Sequence, residues 1–431
     1  MRSIEILTIV APAIFCLPVS AIIINVPDDY TTIQAGIDAS ANGDTVLVSD
    51  GCYFERIDFN GKGILLGSEF IFDNSVFHVQ NTIIDADTSV IGVVDTASVV
   101  CFVNDEDTTS MLQGFTIRNG IGTYINEIRR VGGGMYCGQG SIPQIKNNVI
   151  RNNSADYGGG VFCYSAIIKT NTISMNFAYY GGGVYCYVNG SILDKNIIYD
   201  NISTDGGGGM ASVNDNSTIT NCTISINQAL AGGGILCHNS TLALLNVILW
   251  DNNANHEDEL YVYNSTPLLT YCDIQGGWAG QGNIDADPLF NDSDNGDFHI
   301  TADSPCIDAG CPESPLDPDG TRSDIGALYF DQAIGIDSPI LQVPRSFNLM
   351  QNYPNPFNAS TMIRYELPER AQVKLDIYDI LGRKVTTIED GLRPAGYHQV
   401  LWKADGIASG VYFYKLQAGE YVDAKKMLLV K

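Results

Sequence analysis

Asparagine returns in two columns at intervals near 25 residues, and this repeat constrains the fold more than any other feature. The first column holds Asn148, Asn171, Asn196, Cys222 and Asn246, at intervals of 23, 25, 26 and 24 residues. The second holds Asn153, Asn176, Asn201, Asn227 and Asp251, at the same intervals. Five residues after each of its first four members a glycine run begins, at Gly158, Gly181, Gly206 and Gly232. An earlier run starts at Gly132, after an apparent insertion that follows Asn119. A fixed period of this length means stacked repeats, none of which can bury its apolar face alone.

A period near 25 also fits leucine-rich repeats, but helical patterning is missing between the glycine runs. Those segments alternate with period two and are rich in Ile, Val, Thr and Tyr, as short strands are. About three strands per repeat, separated by Gly or Asn turns, describe an all-β parallel β-helix with about 25 residues per coil. Coils pair at ~4.8 Å, so equivalent side chains form ladders. An inward Asn amide can hydrogen-bond the coils above and below, and Asn tolerates left-handed backbone. Cys137, Cys163, Cys186 and Cys237 each follow the start of a glycine run by five residues, which predicts a ladder of buried, free thiols. Cys306 and Cys311 lie outside it and are the disulfide candidates. In Val26 to Ala39, Ile33 and Ile37 sit four apart, predicting a short amphipathic helix that caps the solenoid. From Asp44 to Ile274 the chain accounts for ~9 coils, a rod about 40 Å long.

Residues 1–21 read as a secretory signal, with Arg2, an apolar run from Ile6 to Val19, and Val19-Ser20-Ala21 as the cleavage site. Cys16 follows Phe15 rather than a small residue, against a lipoprotein anchor. No later apolar run approaches the ~18 residues of a membrane-spanning helix. From Arg345 onward the chain carries 12 Lys and Arg against 9 Asp and Glu, while the remainder carries 11 against 40. So acidic a body repels phosphate backbones, which disfavours nucleic acid as a partner. The organisation expected is a signal (1–21), a β-helix with its helical cap (22–285), a C-terminal cap and linker (286–344) and a tail domain (345–431).

Strand parity supplies candidate binding residues. If Val161 and Cys163 face inward, Phe162 and Tyr164 face outward, and so do Tyr136, Tyr185 and Tyr187 in neighbouring coils. Rings repeated at ~4.8 Å can stack on sugars, or can simply stiffen the solenoid. Asp292, Asp294 and Asp297, and Asp317, Asp319 and Asp324, have calcium-like spacing without completing a twelve-residue calcium loop, and turn chemistry explains them as well. No cofactor is expected beyond that calcium. His78, His238, His256 and His299 are not paired at ligand spacing and read as isolated. Arg118, Arg129, Arg130, Lys146, Arg151, Lys169 and Lys195 offer a lyase base or a uronate partner, though a solvated surface is the simpler account.

Residues 25–70, with TTIQAGIDASANGDTVLV (31–48) and GCYFERI (51–57), resemble the opening of the pectin-lyase-like right-handed parallel β-helix superfamily. Gly51-x-Tyr53-x-Glu55 also echoes a pectinesterase motif. Residues 271–290, 304–310 and 317–327 are similar to the ends of secreted β-helix proteins with sorting tails. The tail resembles the type A C-terminal sorting domain of type IX secretion substrates, an Ig-like β-sandwich. The residues that carry this are Asn355, Pro356, Phe357 and Asn358, then Gly382 and Arg383, then Gly410 and Tyr412, then Lys426. The resemblance implies export across the outer membrane by the type IX machinery, to the cell surface or the medium. The catalytic sets of polygalacturonases and pectate lyases are missing, and Asp28-Asp29 lies in the cap. The expected function is therefore adhesin-like binding of a glycan or other surface. A polysaccharide lyase or hydrolase, or a structural envelope protein without a ligand, are the alternatives.

Overall fold

The computed structural model describes residues 21–87, 97–125, 127–332, 336–337, 347–350, 352, 355–358, 360–368, 370–393, 396–404, 406–419 and 421–430. The predicted signal lies outside them except for its last residue. Each coil runs through short parallel strands, as in Ile167–Lys169, Thr172–Ser174, Phe177–Tyr180 and Val184–Tyr187. We call the sheets they build A, B, D and C. Among the described residues A has ten strands, B nine, C eight and D four.

The period-two pattern sends alternate residues of each strand into the lumen. In sheet A the central column is Val46, Leu66, Leu112, Ile145, Ile168, Leu193, Ile219, Leu244 and Leu269, all fully buried. Sheet B contributes Ile84, Ile117, Ile150, Ile173, Ile198, Ile224 and Leu249. Burying each such side chain stabilises the rod by ~1.5–3 kcal/mol. The thiol ladder lies where predicted, with Cys137, Cys163, Cys186 and Cys237 buried and unpaired and Ser212 completing the column.

The Asn columns form ladders at the two corners flanking sheet B. Asn201 accepts, at Oδ1, the backbone N–H (3.1 Å) and Nδ2 (3.0 Å) of Asn176. Its own Nδ2 donates to Ile173 O, Tyr199 O and Asn227 Oδ1. Both columns need one correction at their last member. Asn227 donates to Asn252, not Asp251, and Val247 rather than Asn246 occupies the place after Cys222. Asn246 and Asp251 both have φ +56°, the left-handed corner position preceding the ladder residue. The glycine run after Asn201 likewise starts at Gly207 (φ +70°), because a bulge before Gly206 adds a residue.

Helix α1 (Ile33–Ala39) closes the N-terminal end, with Ile33 and Ile37 fully buried. Glu55 accepts the backbone N–H groups of Ile33 and Gln34, at 2.8 and 2.9 Å. The motif that echoes pectinesterases thus supplies a helix cap. At the far end Trp278 packs against the luminal core. Beyond it, residues 284–330 fold back over the outer face of sheet B. There Phe298 and Leu328 cover Ile197, while Ile300, Ile325 and Phe330 cover Ile248. The predicted cap is therefore a strap along the side of the solenoid.

The tail has a three-stranded and a four-stranded antiparallel sheet enclosing Ile363, Tyr365, Val373, Leu375, Tyr414 and Leu416. This is the sandwich that the sorting-domain resemblance implies.

Candidate functional site

Sheet C carries the predicted aromatic strip on its outer side. The column runs Tyr136, Phe162, Tyr185, Ala211, Leu236 and Tyr261, in register from coil to coil. Adjacent to it Tyr164 and Tyr187 lie 5.6 Å apart, and His238 packs on Tyr263 at 5.0 Å. Phe162 and Tyr185 stack with ring planes 8° apart at 5.3 Å.

The exposure differs from expectation. Phe162 and Tyr185 point outward but are buried, at 3% and 7% exposure, and only Tyr136, Tyr164 and Tyr187 are half-exposed. The cause is sheet D, which projects beside the strip and folds its last tyrosines over it. Tyr157 meets Tyr185 edge-on at 5.2 Å and stacks on Tyr180 at 5.9 Å. Burial pushes the Tyr136 and Tyr180 hydroxyls up to about 12, so both stay protonated donors. A tyrosine directly before a glycine run, at 157 and 180, is the sequence signal for this cover.

Sheet D adds aromatic surface that parity at sheet C did not reveal. The insertion after Asn119 is a hairpin, Thr123–Ile125 against Arg129–Val131, whose Val131 bridges to Tyr157 and starts the D stack. The Arg129 guanidinium lies 5.0 Å from the Tyr157 ring. Tyr124, Phe177 and Tyr179 are each about half exposed, with Ile128, Ile202 and Leu230 also open to solvent.

The basic residues are more engaged than a solvated surface implies. Arg118 bonds Asp85 at 2.7 Å, Arg130 pairs with Asp156 at 3.3 Å and Lys169 with Asp194 at 3.3 Å. Arg151 stands next to Arg118 on sheet B, and its buried Nε has no partner. Burial, then the neighbouring Arg118 charge, holds its pKa below the usual value. Beside this pair opens a polar pocket of about 290 Å³, lined by Asp87, Asn119, Gly120, Ile121, Asn152 and Ser154.

The acidic loops spend their oxygens on turns. Asp292 accepts from Asn295, Asp297 from Asn291 and the His299 backbone, and Asp319 from Thr321 and Gln332. Asp317 accepts the N–H of Asp324, and Asp324 those of Asp308 and Phe330. Asp294 stands exposed. The disulfide expectation is corrected: Cys306 and Cys311 are free thiols, bonded to Asp273 at 3.2 Å and Glu313 at 3.0 Å. Cys306 is buried in the contact between strap and sheet B, whereas Cys311 is partly exposed. Two histidines are also not isolated. His299 contacts Asp297, and His78 sits among Asp50, Glu69 and Asp73.

In the tail, the motif residues tie the first segment to the last strand. Phe357 is buried against Trp402, and its N–H donates to Leu428 O at 2.9 Å. Asn355 Oδ1 accepts Leu428 N–H at 2.8 Å and its Nδ2 reaches Lys426 O; Pro356 and Asn358 complete the exposed bend. Gly382 (φ +73°) makes the turn in which Arg383 bonds Asp379 at 2.7 Å. Tyr412, in the strand that Gly410 begins, donates to Ala408 O.

Residues 351–431 match the family described as the secretion system C-terminal sorting domain. The protein is thus a β-solenoid of about ten turns that carries a type IX sorting tail, which implies engagement with that machinery and secretion or attachment at the outer-membrane surface. Among the described residues no helix is long and apolar enough to cross a membrane. No curated protein matches the chain. It is similar to the enzymatically active domain of tailspike protein 2 of bacteriophage CBA120, at 10% identity and TM-score 0.34, over 95% of this chain and 76% of that one. It is similar also to full-length tailspike protein 2 from the Escherichia coli O157:H7 bacteriophage CAB120, at 10% identity and TM-score 0.30, over 95% and 68%. Likeness at this level bears on neither activity nor ligand.

Proposed function

We propose that the exported solenoid is an adhesin-like binding protein that holds glycan against the outer side of sheets C and D. The observation that carries this reading is the strip of half-exposed rings, Tyr136, Tyr164 and Tyr187, held from the side by buried Phe162 and Tyr185. Rings held by neighbours lose little entropy on contact with a sugar face, and their hydroxyls offer hydrogen bonds at the rim. The exposed Tyr124, Phe177 and Tyr179 widen the same surface. A passenger so acidic favours neutral over anionic glycans.

A glycan array tests the reading with wild type, Tyr164→Ala and Tyr187→Ala, each checked for native circular dichroism. Loss of the wild-type signal in both variants is expected. Undiminished binding in both, or no binding by the wild type to any glycan, overturns it.

A further inference from the structure

We propose that Asp50, Glu69 and His78 form a zinc-type divalent metal site at the N-terminal end of the solenoid. The other coils pass from sheet A to sheet B through a corner of two residues. In the second coil that corner is a long excursion containing α2 (Phe70–Asp73) and α3 (Val76–Asn81). The excursion carries Glu69 and His78 to the buried Asp50, which follows the sheet A strand Thr45–Val48.

The three ligand atoms lie within 4.8 Å of one another. His78 Nδ1 is 2.9 Å from Asp50 Oδ1 and 3.6 Å from Glu69 Oε2. Four ligands at the usual zinc bond lengths stand about 3.3 Å apart along a tetrahedral edge, and these separations bracket that value. His78 Nδ1 shares a hydrogen bond with Asp50 Oδ1, and Nε2 lies 3.3 Å from Asp73 Oδ2, so both ring nitrogens face carboxylates. A metal ion at Nδ1 answers that arrangement, with Asp73 as the outer carboxylate that orients a metal-bound histidine. The remaining ligands are held in the same manner. Thr82 Oγ1 donates to Asp50 Oδ1 at 3.1 Å and Ser49 Oγ to Glu69 Oε1 at 3.3 Å. Asp50 and His78 are mostly buried while Glu69 is 41% exposed, so one side stays open to solvent for a fourth, water ligand. An imidazole donor selects zinc or a similar ion over calcium or magnesium. Bound there, the ion fastens the α2–α3 excursion to the first coils. The competing account is a histidine kept protonated by its three carboxylates.

The full chain, stripped with chelator, is titrated with zinc chloride by calorimetry, and in parallel with cobalt(II) followed by absorption. One zinc per chain is expected, lost in His78→Ala and in His78→Gln, and weakened about tenfold or more in Asp73→Asn. The cobalt spectrum should lack a thiolate charge-transfer band. Uptake that survives both His78 variants, or a thiolate band, places the ion on cysteines and overturns the proposal. So does no uptake at micromolar zinc, which leaves His78 as an ion-paired imidazolium. Each variant is read for native circular dichroism, and Asp73→Asn keeps every proposed ligand.

Discussion

Glu259 closes the ladder that passes through Asn252: its carboxylate accepts Asn252 Nδ2 and, at 3.2 Å, the Asn252 backbone N–H. In the inner coils those two donors meet the Oδ1 of the next asparagine. The last full coil has no successor, and a carboxylate standing in the column of Gly183, Gly209 and Gly234 takes its place.

That substitution makes the C-terminal end sensitive to pH. Burial pushes the Glu259 carboxyl up to about 8, against the opposing hydrogen bonds from Asn252. A carboxyl whose pKa is higher folded than unfolded takes up a proton on folding between the two values. Its contribution therefore favours folding at low pH and is lost as pH rises from about 4.5 to about 8, then stays level. Glu259→Gln should flatten this window. Hydrogen exchange at the last coils, followed from pH 5 to 9 in both proteins, checks it; parallel profiles would refute it.

Inside the ladder, Asn201→Ala should cost ~3–5 kcal/mol, because it strands the buried backbone N–H of Asn176 and breaks bonds to the coils on both sides. Urea unfolding monitored by circular dichroism measures the loss. A cost under about 1 kcal/mol would mean that water replaces the amide.

Glycine at the run is required by the approach of successive coils. A Cβ on Gly159 would stand 2.5 Å from both Gly182 O and Phe177 O. Gly159→Ala should destabilise by ~3 kcal/mol or more through overpacking. Gly391→Ala in the tail meets nothing within 4 Å and serves as the matched control. Equal effects at the two sites would contradict the close stacking.

Thiol chemistry reports burial directly. Cys52 is exposed and Cys101 and Cys311 partly so, whereas Cys137, Cys163, Cys186, Cys222, Cys237, Cys272 and Cys306 are buried. Alkylation of the native protein at pH 8 should mark Cys52 first and Cys101 and Cys311 more slowly, with the seven buried thiols reacting only in denaturant. Mass mapping of the modified peptides decides this, and rapid native labelling at Cys163 or Cys186 would count against the fold.

The coil architecture was legible because each coil repeats one solution. Inward apolar residues, corner asparagines and stacking glycines must recur wherever backbone meets backbone. The errors arose where one coil departs from its neighbours by a single residue, at Gly206, Asn246 and Asp251, since a fixed period cannot show a bulge. The candidate face was half legible. Parity placed Phe162 and Tyr185 outward, but their cover comes from Tyr157 and Tyr180 on a sheet whose existence depends on how the chain leaves the Asn153 and Asn176 corners. The His78 cluster was hidden because its members lie 19 and 9 residues apart, joined only by the excursion between two strands.

The sulfurs of Cys163 and Cys186 rest 3.6 Å apart in successive coils, each shielded by the turns on either side. For a chain sent out through a compartment that oxidises thiols, that shielding has to be completed in time. A half-wound rod presents a reactive sulfur at its growing end, and two such residues joined too early would lock a coil out of register. Winding must therefore outrun oxidation, and the interior of this solenoid selects for speed of closure as much as for final stability.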